Sequence, residues 1–315
     1  MPRTIRLRDF IADADNWLYA VSSYGNRDTV GCILRYIPDS QGDRTDCAGR
    51  RYRKLEFEEA FARICAEKPY YAGRMHRIPI ADVRRLFCPE QEISRIADRD
   101  RRVRRLQSLL DLPAFGLGCT GSRLVGLETP ESDIDLVAYG ASWFQGQARL
   151  RDLIATGAVQ ELDEEMWRVV YRKRSPEIPF ETFILHERRK YNRGMIDGTY
   201  FDLLYARDEE CVGPLQTAGG EVVGRKRIRA RVRDARLAFD SPALYEVDHE
   251  EVSRVLSFTH TYSGQVVEGE EMEAQGVLEQ HGRELWLIVG TTRTAKGEYI
   301  VSRTLLEEGN VSGAT

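Results

Sequence analysis

A chain of 315 residues, 42% hydrophobic and 30% charged, is long enough for two or three domains and for at least one substantial core, which excludes a disordered protein. Its formal net charge of −4 gives no global attraction to nucleic acid or anionic lipid, so such a partner would have to be met by a local basic patch. No apolar run approaches the ~20 residues needed to cross a bilayer, and "MPRTIRLRDFIADAD" is charged where a signal peptide carries its apolar segment, so a cytoplasmic protein without membrane contact is expected.

In chain order, residues 1–90 alternate apolar and polar positions in "NWLYAVSSY" and "TVGCILRYIP", then take helical spacing in "KLEFEEAFARICAEK", which predicts a small α+β unit. Trp17, Tyr19, Tyr24, Tyr70 and Tyr71 are read as core aromatics of that unit rather than a base-stacking surface. From Glu92 to Leu112 a helical period follows, with Arg101, Arg102, Arg104 and Arg105 on what is read as a solvated face, a phosphate-contacting helix being the alternative. "AFGLG" reads as a short buried strand. After it come a loop, a strand over 133–139, a helix over about 142–156, a strand over 166–172, a helix over about 180–193 and a strand over 199–206. This interleaving predicts an α+β domain with a mixed sheet over 91–212. Beyond it, 220–315 carries short alternating segments and Gly-containing turns, the texture of a small β-barrel or sandwich.

The six cysteines (Cys32, Cys47, Cys65, Cys88, Cys119 and Cys211) are scattered singly and read as reduced thiols. The five histidines are equally dispersed, so neither a zinc hydrolase nor a histidine-led triad is indicated. In "RKRIRARVRD", Arg227, Arg229, Arg231 and Arg233 share one face of a strand, a possible nucleic-acid contact; cross-strand pairing with Glu271 and Glu273 would silence it.

One stretch resists a structural explanation. In "SDIDLVAYG", Asp133 and Asp135 alternate with Ile134 and Leu136, so a strand there projects both acids from one face and turns Ile134 and Leu136 into the core on the opposite one. Two close carboxylates repel unless a cation lies between them. Hard oxygen donors without thiolate or imidazole suit Mg²⁺ or Mn²⁺, and Mg²⁺ characteristically binds through one or two carboxylates plus substrate phosphates. Twelve residues earlier, Gly121 lets the backbone approach a bulky anion, and Ser122 adds a hydroxyl and an N–H.

A Gly-Ser pair, a Gly four residues after the Ser and then "SDIDL" resembles the signature of the DNA polymerase beta-like nucleotidyltransferase superfamily, over roughly residues 93–206. Arg123-Leu124-Val125-Gly126 departs from the commoner Arg-Ala-Arg-Gly wording. The overall arrangement also resembles uncharacterised predicted nucleotidyltransferases of archaea. The resemblance implies a polymerase-beta-like mixed sheet with helices, flanked by the small units above, and a third carboxylate from a later strand. Asp202 in "GTYFDLLYAR" is the best candidate for it, Asp197 and Asp163 being weaker contenders.

It further implies two-metal transfer of an NMP from an NTP, ATP among the candidates, to an acceptor hydroxyl on an RNA end, a protein or a small molecule. Asp133, Asp135 and Asp202 would be catalytic and metal-binding, and Gly121 and Ser122 would cradle phosphates. A triphosphate also needs fixed positive charge, for which "FETFILHERRKYNRG" offers Lys190 and Arg193, off an apolar helical stripe. The alternatives are a nucleotide- or nucleic-acid-binding protein that keeps the fold without turnover, and an interaction scaffold.

Overall fold

The computed structural model describes residues 4–208, 219–292 and 295–312. The chain is a mixed α+β protein with eight α-helices and three sheets among these residues, and it divides into two units, 1–160 with 192–215 and 161–191 with 216–315. None of the described helices is long and apolar enough to cross a membrane.

The first unit begins with β1 (Phe10–Ala12), β2 (Leu18–Val21), β3 (Thr29–Pro38), β4 (Arg44–Thr45), β5 (Arg51–Lys54), α1 (Phe57–Glu67), β6 (His76–Pro79) and β7 (Arg85–Phe87). These strands form one antiparallel sheet in the order β4-β5-β3-β2-β1-β7, with β6 also on β3. One face, with Ile11, Tyr19, Leu34 and Ile78, packs on Ala60 and Ile64 of α1. As the sequence predicts, Trp17, Tyr19, Tyr24 and Tyr71 are buried; Tyr70 is exposed.

Pro89 at its first position and Glu90 and Glu92 in its first turn start α2 (Pro89–Arg99). The single helix expected over 92–112 is two, because Asp100 leaves helical geometry and caps α3 (Arg101–Leu110) by accepting from the Arg102 N–H at 2.9 Å. Three of the four arginines of α3 are engaged in ion pairs, Arg102 with Asp100, Arg104 with Asp98 and Arg105 with Asp197, as a solvated helix face would be.

A second sheet, in the order β10-β11-β9-β8, is built from β8 (Leu117–Cys119), β9 (Ile134–Tyr139), β10 (Arg193–Ile196) and β11 (Thr199–Ala206). Between β8 and β9 lies α4 (Gly121–Val125), and after β9 comes α5 (Ala141–Ala155). Gly146 lets α5 approach β11, since a Cβ there would lie 3.0 Å from a Leu203 methyl. Trp143, fully buried, donates its indole N–H to the Leu203 carbonyl at 3.2 Å. Burying a side chain of that size stabilises by roughly 2–3 kcal/mol.

No boundary separates residues 1–90 from this sheet. The other face of the first sheet, with Phe10, Leu18, Tyr36, Tyr52 and Phe87, shares a core with Leu124, Val125 and Leu127 of α4 and the loop after it. The Thr120 hydroxyl donates to the Arg8 carbonyl at 2.6 Å, and Arg44 donates to the Leu127 carbonyl at 2.7 Å. The separate amino-terminal domain expected from the sequence is therefore part of one larger unit.

The second unit takes residues 161–191 from the expected middle domain. The strand expected over 166–172 is a helix, α6 (Glu164–Arg174): Asp163 caps it through the Met166 N–H at 2.8 Å, acids fill its first turn and Arg172, Lys173 and Arg174 its last. The helix expected to reach about 193 is α7 (Phe180–Arg188), which ends sooner. Its His186 ring is buried, accepting from the Ser302 N–H at 2.9 Å and meeting the Thr182 carbonyl at 2.7 Å, which leaves the ring neutral with its proton on Nδ1. Burial, with Arg189 and Lys190 adding to it, pushes His186 down to about 4.

The carboxy-terminal strands are β12 (Glu221–Asp234), β13 (Ala243–Asp248), β14 (Val252–Ser257), β15 (Glu271–His281), β16 (Glu284–Val289) and β17 (Tyr299–Ser302), followed by α8 (Arg303–Ser312). They pair in the order β12-β13-β14-β16-β15-β17, and β12 also pairs with β15, so five strands form a closed hydrogen-bonded ring.

The alternation predicted for β12 is present: Ile228, Ala230 and Val232 are buried and Arg227, Arg229, Arg231 and Arg233 exposed. Arg227 and Arg229 both pair with buried Glu273, at 2.6 and 3.0 Å, and Arg233 pairs with Glu246 at 2.9 Å. Burial pushes the Glu273 carboxyl up, but hydrogen bonds from Arg227, Tyr299 and Arg229 outweigh it and hold the group at about 2. Its contribution to stability is complete above the ordinary value of 4.5 and is lost as pH falls toward 2. Glu273→Gln is therefore expected to cost about 1–3 kcal/mol at neutral pH, allowing for the exposed guanidinium ends, and to flatten the acid limb of a urea-midpoint-against-pH curve.

Five cysteines, Cys32, Cys47, Cys65, Cys88 and Cys119, are free thiols; Cys211 lies outside the described residues.

Candidate functional site

β9 runs parallel to β11 with Asp135 directly opposite Asp202, and β11 runs antiparallel to β10 with Asp202 opposite Arg193. Residues in register on neighbouring strands project from the same face. Arg193, Asp202 and Asp135 therefore form one row across the sheet, with Asp133 beside it, two residues back along the chain. Neighbouring strands are about 4.8 Å apart and residues two apart on a strand about 6–7 Å, so the row gathers the three acids that the sequence singles out. Ile134, Leu136 and Leu203 fill the opposite face and are fully buried.

Each acid has a different setting. Among the described residues the Asp133 carboxylate has no hydrogen-bond or ion-pair partner, and it is partly exposed. Asp135 abuts Gly121. The Thr120 N–H donates to the Asp135 carbonyl at 2.8 Å, and a Cβ built on Gly121 would lie 2.2 Å from Asp135 Oδ2. Gly121 also has φ +69°, so both its backbone and its surroundings require glycine. Gly121→Ala is expected to cost about 1–2 kcal/mol from the left-handed backbone alone and to displace the Asp135 carboxylate. An unchanged melting temperature would contradict this.

Asp202 accepts from the Tyr200 hydroxyl at 2.9 Å and lies 3.6 Å from the guanidinium of Arg193, which is itself nearly buried. Arg193 Nη1 reaches the Tyr200 hydroxyl at 3.4 Å. Arg193 opens a strand rather than closing a helix, and the Asp197-Gly198 turn with φ +46° and +75° sets its register against Asp202. Tyr200 was not anticipated, although a two-residue Asp-Gly hairpin in "RGMIDGTYFD" is the signal that pairs Arg193 with Asp202 and aligns Tyr200 beside it.

Ser122 opens α4 next to Gly121, largely buried, and its carbonyl accepts from the Leu127 N–H at 2.9 Å. Among the described residues its hydroxyl has no hydrogen-bond partner. The turn is backed by Arg123, 1% exposed. Its guanidinium donates to Asp100 at 3.0 Å, to the Ser132 carbonyl at 3.1 Å and to the Asp133 carbonyl. This one side chain ties the Gly-Ser turn to the backbone that carries Asp133. Its burial was not legible, because an arginine on a short helix ordinarily faces water.

Lys190 is placed otherwise than expected. It belongs to the second unit, 2% exposed, with its ammonium on Glu187 and on the Thr261 carbonyl at 3.1 Å, so it is a core ion pair rather than a phosphate contact. Asp197 lies in the β10–β11 turn against Arg105, and Asp163 caps α6.

Oxygen-only donors on one face suit a hard divalent ion, and unpartnered Asp133 next to Asp135 is the pair that such an ion would neutralise. Among the described residues no three carboxylate, imidazole or thiol groups are drawn together tightly enough to enclose an ion. The Asp202 carboxylate is turned instead to Tyr200 and Arg193.

A protein of Methanocaldococcus jannaschii described as uncharacterized protein MJ1086 is 31% identical to this chain over 334 residues, spanning 94% of this chain and 98% of that protein. No family model matches the chain, and no solved structure matches it.

Proposed function

Since the chain belongs to the family of that uncharacterised Methanocaldococcus jannaschii protein, we propose from its own residues that it is a polymerase-beta-like nucleotidyltransferase. It moves an NMP from an NTP to an acceptor hydroxyl. The observation that carries the reading is the register of β9 with β11, which sets Asp202 beside Asp135, two residues after Asp133 and next to a glycine turn that admits no side chain.

Asp133 and Asp135 are the residues that would hold Mg²⁺ or Mn²⁺, with Asp202 as the third carboxylate. When bound, the ion supplies charge neutralisation at the phosphates and lowers the pKa of the acceptor hydroxyl. The chain's own groups do the rest. The Gly121 turn and the Ser122 hydroxyl hold the phosphate oxygens. The acceptor oxygen bonds to the α-phosphorus in line as the bond to the bridging oxygen of pyrophosphate breaks, and the acceptor proton passes to Asp202. Tyr200, donating to Asp202, orients that carboxylate. Arg193, across from it, supplies fixed positive charge at the end of the row.

The test is incubation of the full chain with each labelled NTP, Mg²⁺ or Mn²⁺, and cellular RNA or lysate. A labelled product that disappears in Asp133→Ala supports transfer. Metal-dependent nucleotide binding without product under any metal would favour a binding protein that retains the fold.

A further inference from the structure

β3 carries an irregularity at one position. Leu18 pairs with Tyr36 and Tyr19 with Leu34, so Arg35 is the extra residue of a β-bulge. Leu34 belongs to the core beneath α1, whereas Tyr36 belongs to the core shared with α4. Ile33 lies opposite Ala20, which packs against the same α4 core. The alternation therefore runs through Ile33, Leu34 and Arg35 and then repeats a face, so that Arg35 and Tyr36 both project toward the side that carries the Gly-Ser turn. Bulges recur beside active sites because they re-aim one side chain in this way.

Arg35 is half-buried, and among the described residues its guanidinium has no carboxylate or carbonyl partner. Its neighbours are occupied. Arg44, 5.8 Å over the Tyr36 ring, holds the Leu127 carbonyl at 2.7 Å and reaches the Ser132 hydroxyl at 3.5 Å, bracing the loop that leads into Asp133.

We propose that Arg35 is a substrate-binding residue that contacts the terminal phosphates of a nucleoside triphosphate. This rests on the transferase reading above and adds a fixed cation from the amino-terminal sheet. The electrostatics agree: burial pushes the Tyr36 hydroxyl up, Arg44 and Arg35 pull it back, and Asp135 and Asp133 raise it again, so one hydroxyl feels both arginines and both acids. A half-buried guanidinium with no internal acceptor, on the sheet face that packs against α4 and the Gly-Ser turn, is matched by the oxygens of an anion bound at that turn.

The test uses the full-length chain in two assays, calorimetric titration with inorganic pyrophosphate and Mg²⁺, and steady-state transfer from NTP. Arg35→Gln is expected to weaken pyrophosphate binding and raise the KM for NTP by about tenfold or more, the scale of one charge-assisted hydrogen bond, with a smaller change in kcat. Arg35→Lys should recover part of the loss, and it keeps the test open if the glutamine variant folds poorly. Transfer by the wild type with both constants unchanged in Arg35→Gln would overturn the role of Arg35 alone. Arg35-dependent pyrophosphate binding with no transfer would remove the transferase reading and leave the anion site standing. Neither binding nor transfer by the wild type would overturn both.

Discussion

Asp133→Ala is expected to reduce the proposed NMP transfer by about 10³-fold or more while leaving the folded chain as stable as the wild type or slightly more so. The two effects have one cause. Asp133 has no partner among the described residues, and it immediately precedes β9, two residues from Asp135. Like charges so placed repel, at a cost of a few tenths to about 1 kcal/mol, and removing one relieves that cost when no cation is present. Removing it also takes away half of the pair that would hold a divalent ion, and the loss of a preorganised electrostatic group in a phosphoryl-type transfer is worth orders of magnitude in rate. Metal titration by thermal shift separates the contributions. Without metal the variant should melt at or above the wild-type temperature, and with Mg²⁺ and NTP only the wild type should gain stability. A variant that melts well below the wild type in both conditions would make Asp133 a structural acid and remove the basis of the proposed chemistry.

Arg123→Met carries the largest stability effect. The guanidinium is 1% exposed and serves a carboxylate and two carbonyls. A methionine of similar length fills the space but leaves the Ser132 and Asp133 carbonyls and one Asp100 oxygen without that donor. Breaking a buried pair from one side typically costs about 3–5 kcal/mol. Urea unfolding should show the loss, and Arg123→Lys should restore little of it, since one ammonium cannot reproduce a planar fork.

A pH dependence accompanies it. Burial raises the Asp100 carboxyl, but hydrogen bonds from Arg102 and Arg123 outweigh this and hold it well below the usual carboxylate range. A group depressed in the folded state stabilises above its unfolded pKa, near 4, and loses that contribution as pH falls. The wild type should therefore lose more stability between pH 4 and 2 than Arg123→Met does. Equal slopes would mean that Arg123 does not hold Asp100 in solution.

Much of the site could be read from local pattern. Strand alternation put Asp133 and Asp135 on one face, and the same rule made Asp202 conspicuous in β11, whose expected and observed limits agree. Alternation also set the arginines of β12 outward and marked Glu273, which pairs with Arg227 and Arg229, whereas Glu271 forms no such pair among the described residues and Arg233 turns to Glu246, which alternation did not mark. Local pattern misled where two signals competed. "MWRVVY" reads as β-branched and aromatic, yet the acid-rich start and basic end of α6 favour a helix, and the cap at Asp163 decided the matter. Lys190 lay off an apolar stripe and looked free, but an ammonium three residues after Glu187 closes an ion pair on the last turn of the chain's own helix, and packing buries it.

What the sequence by itself determined is the chemistry available: which acids interrupt apolar strands, which glycine precedes the serine, and which faces can be buried. These follow from periodicities of a few residues, fixed by backbone geometry. What only the tertiary structure decided is which of those groups meet. The parallel register that sets Asp202 beside Asp135 joins positions 67 residues apart. The bulge that turns Arg35 toward the α4 side, and the burial of Arg123 behind the turn, likewise depend on strands and helices distant in sequence. Such contacts are chosen by how whole surfaces pack, because the loop-closure cost of bringing remote segments together is repaid only when many side chains are buried at once.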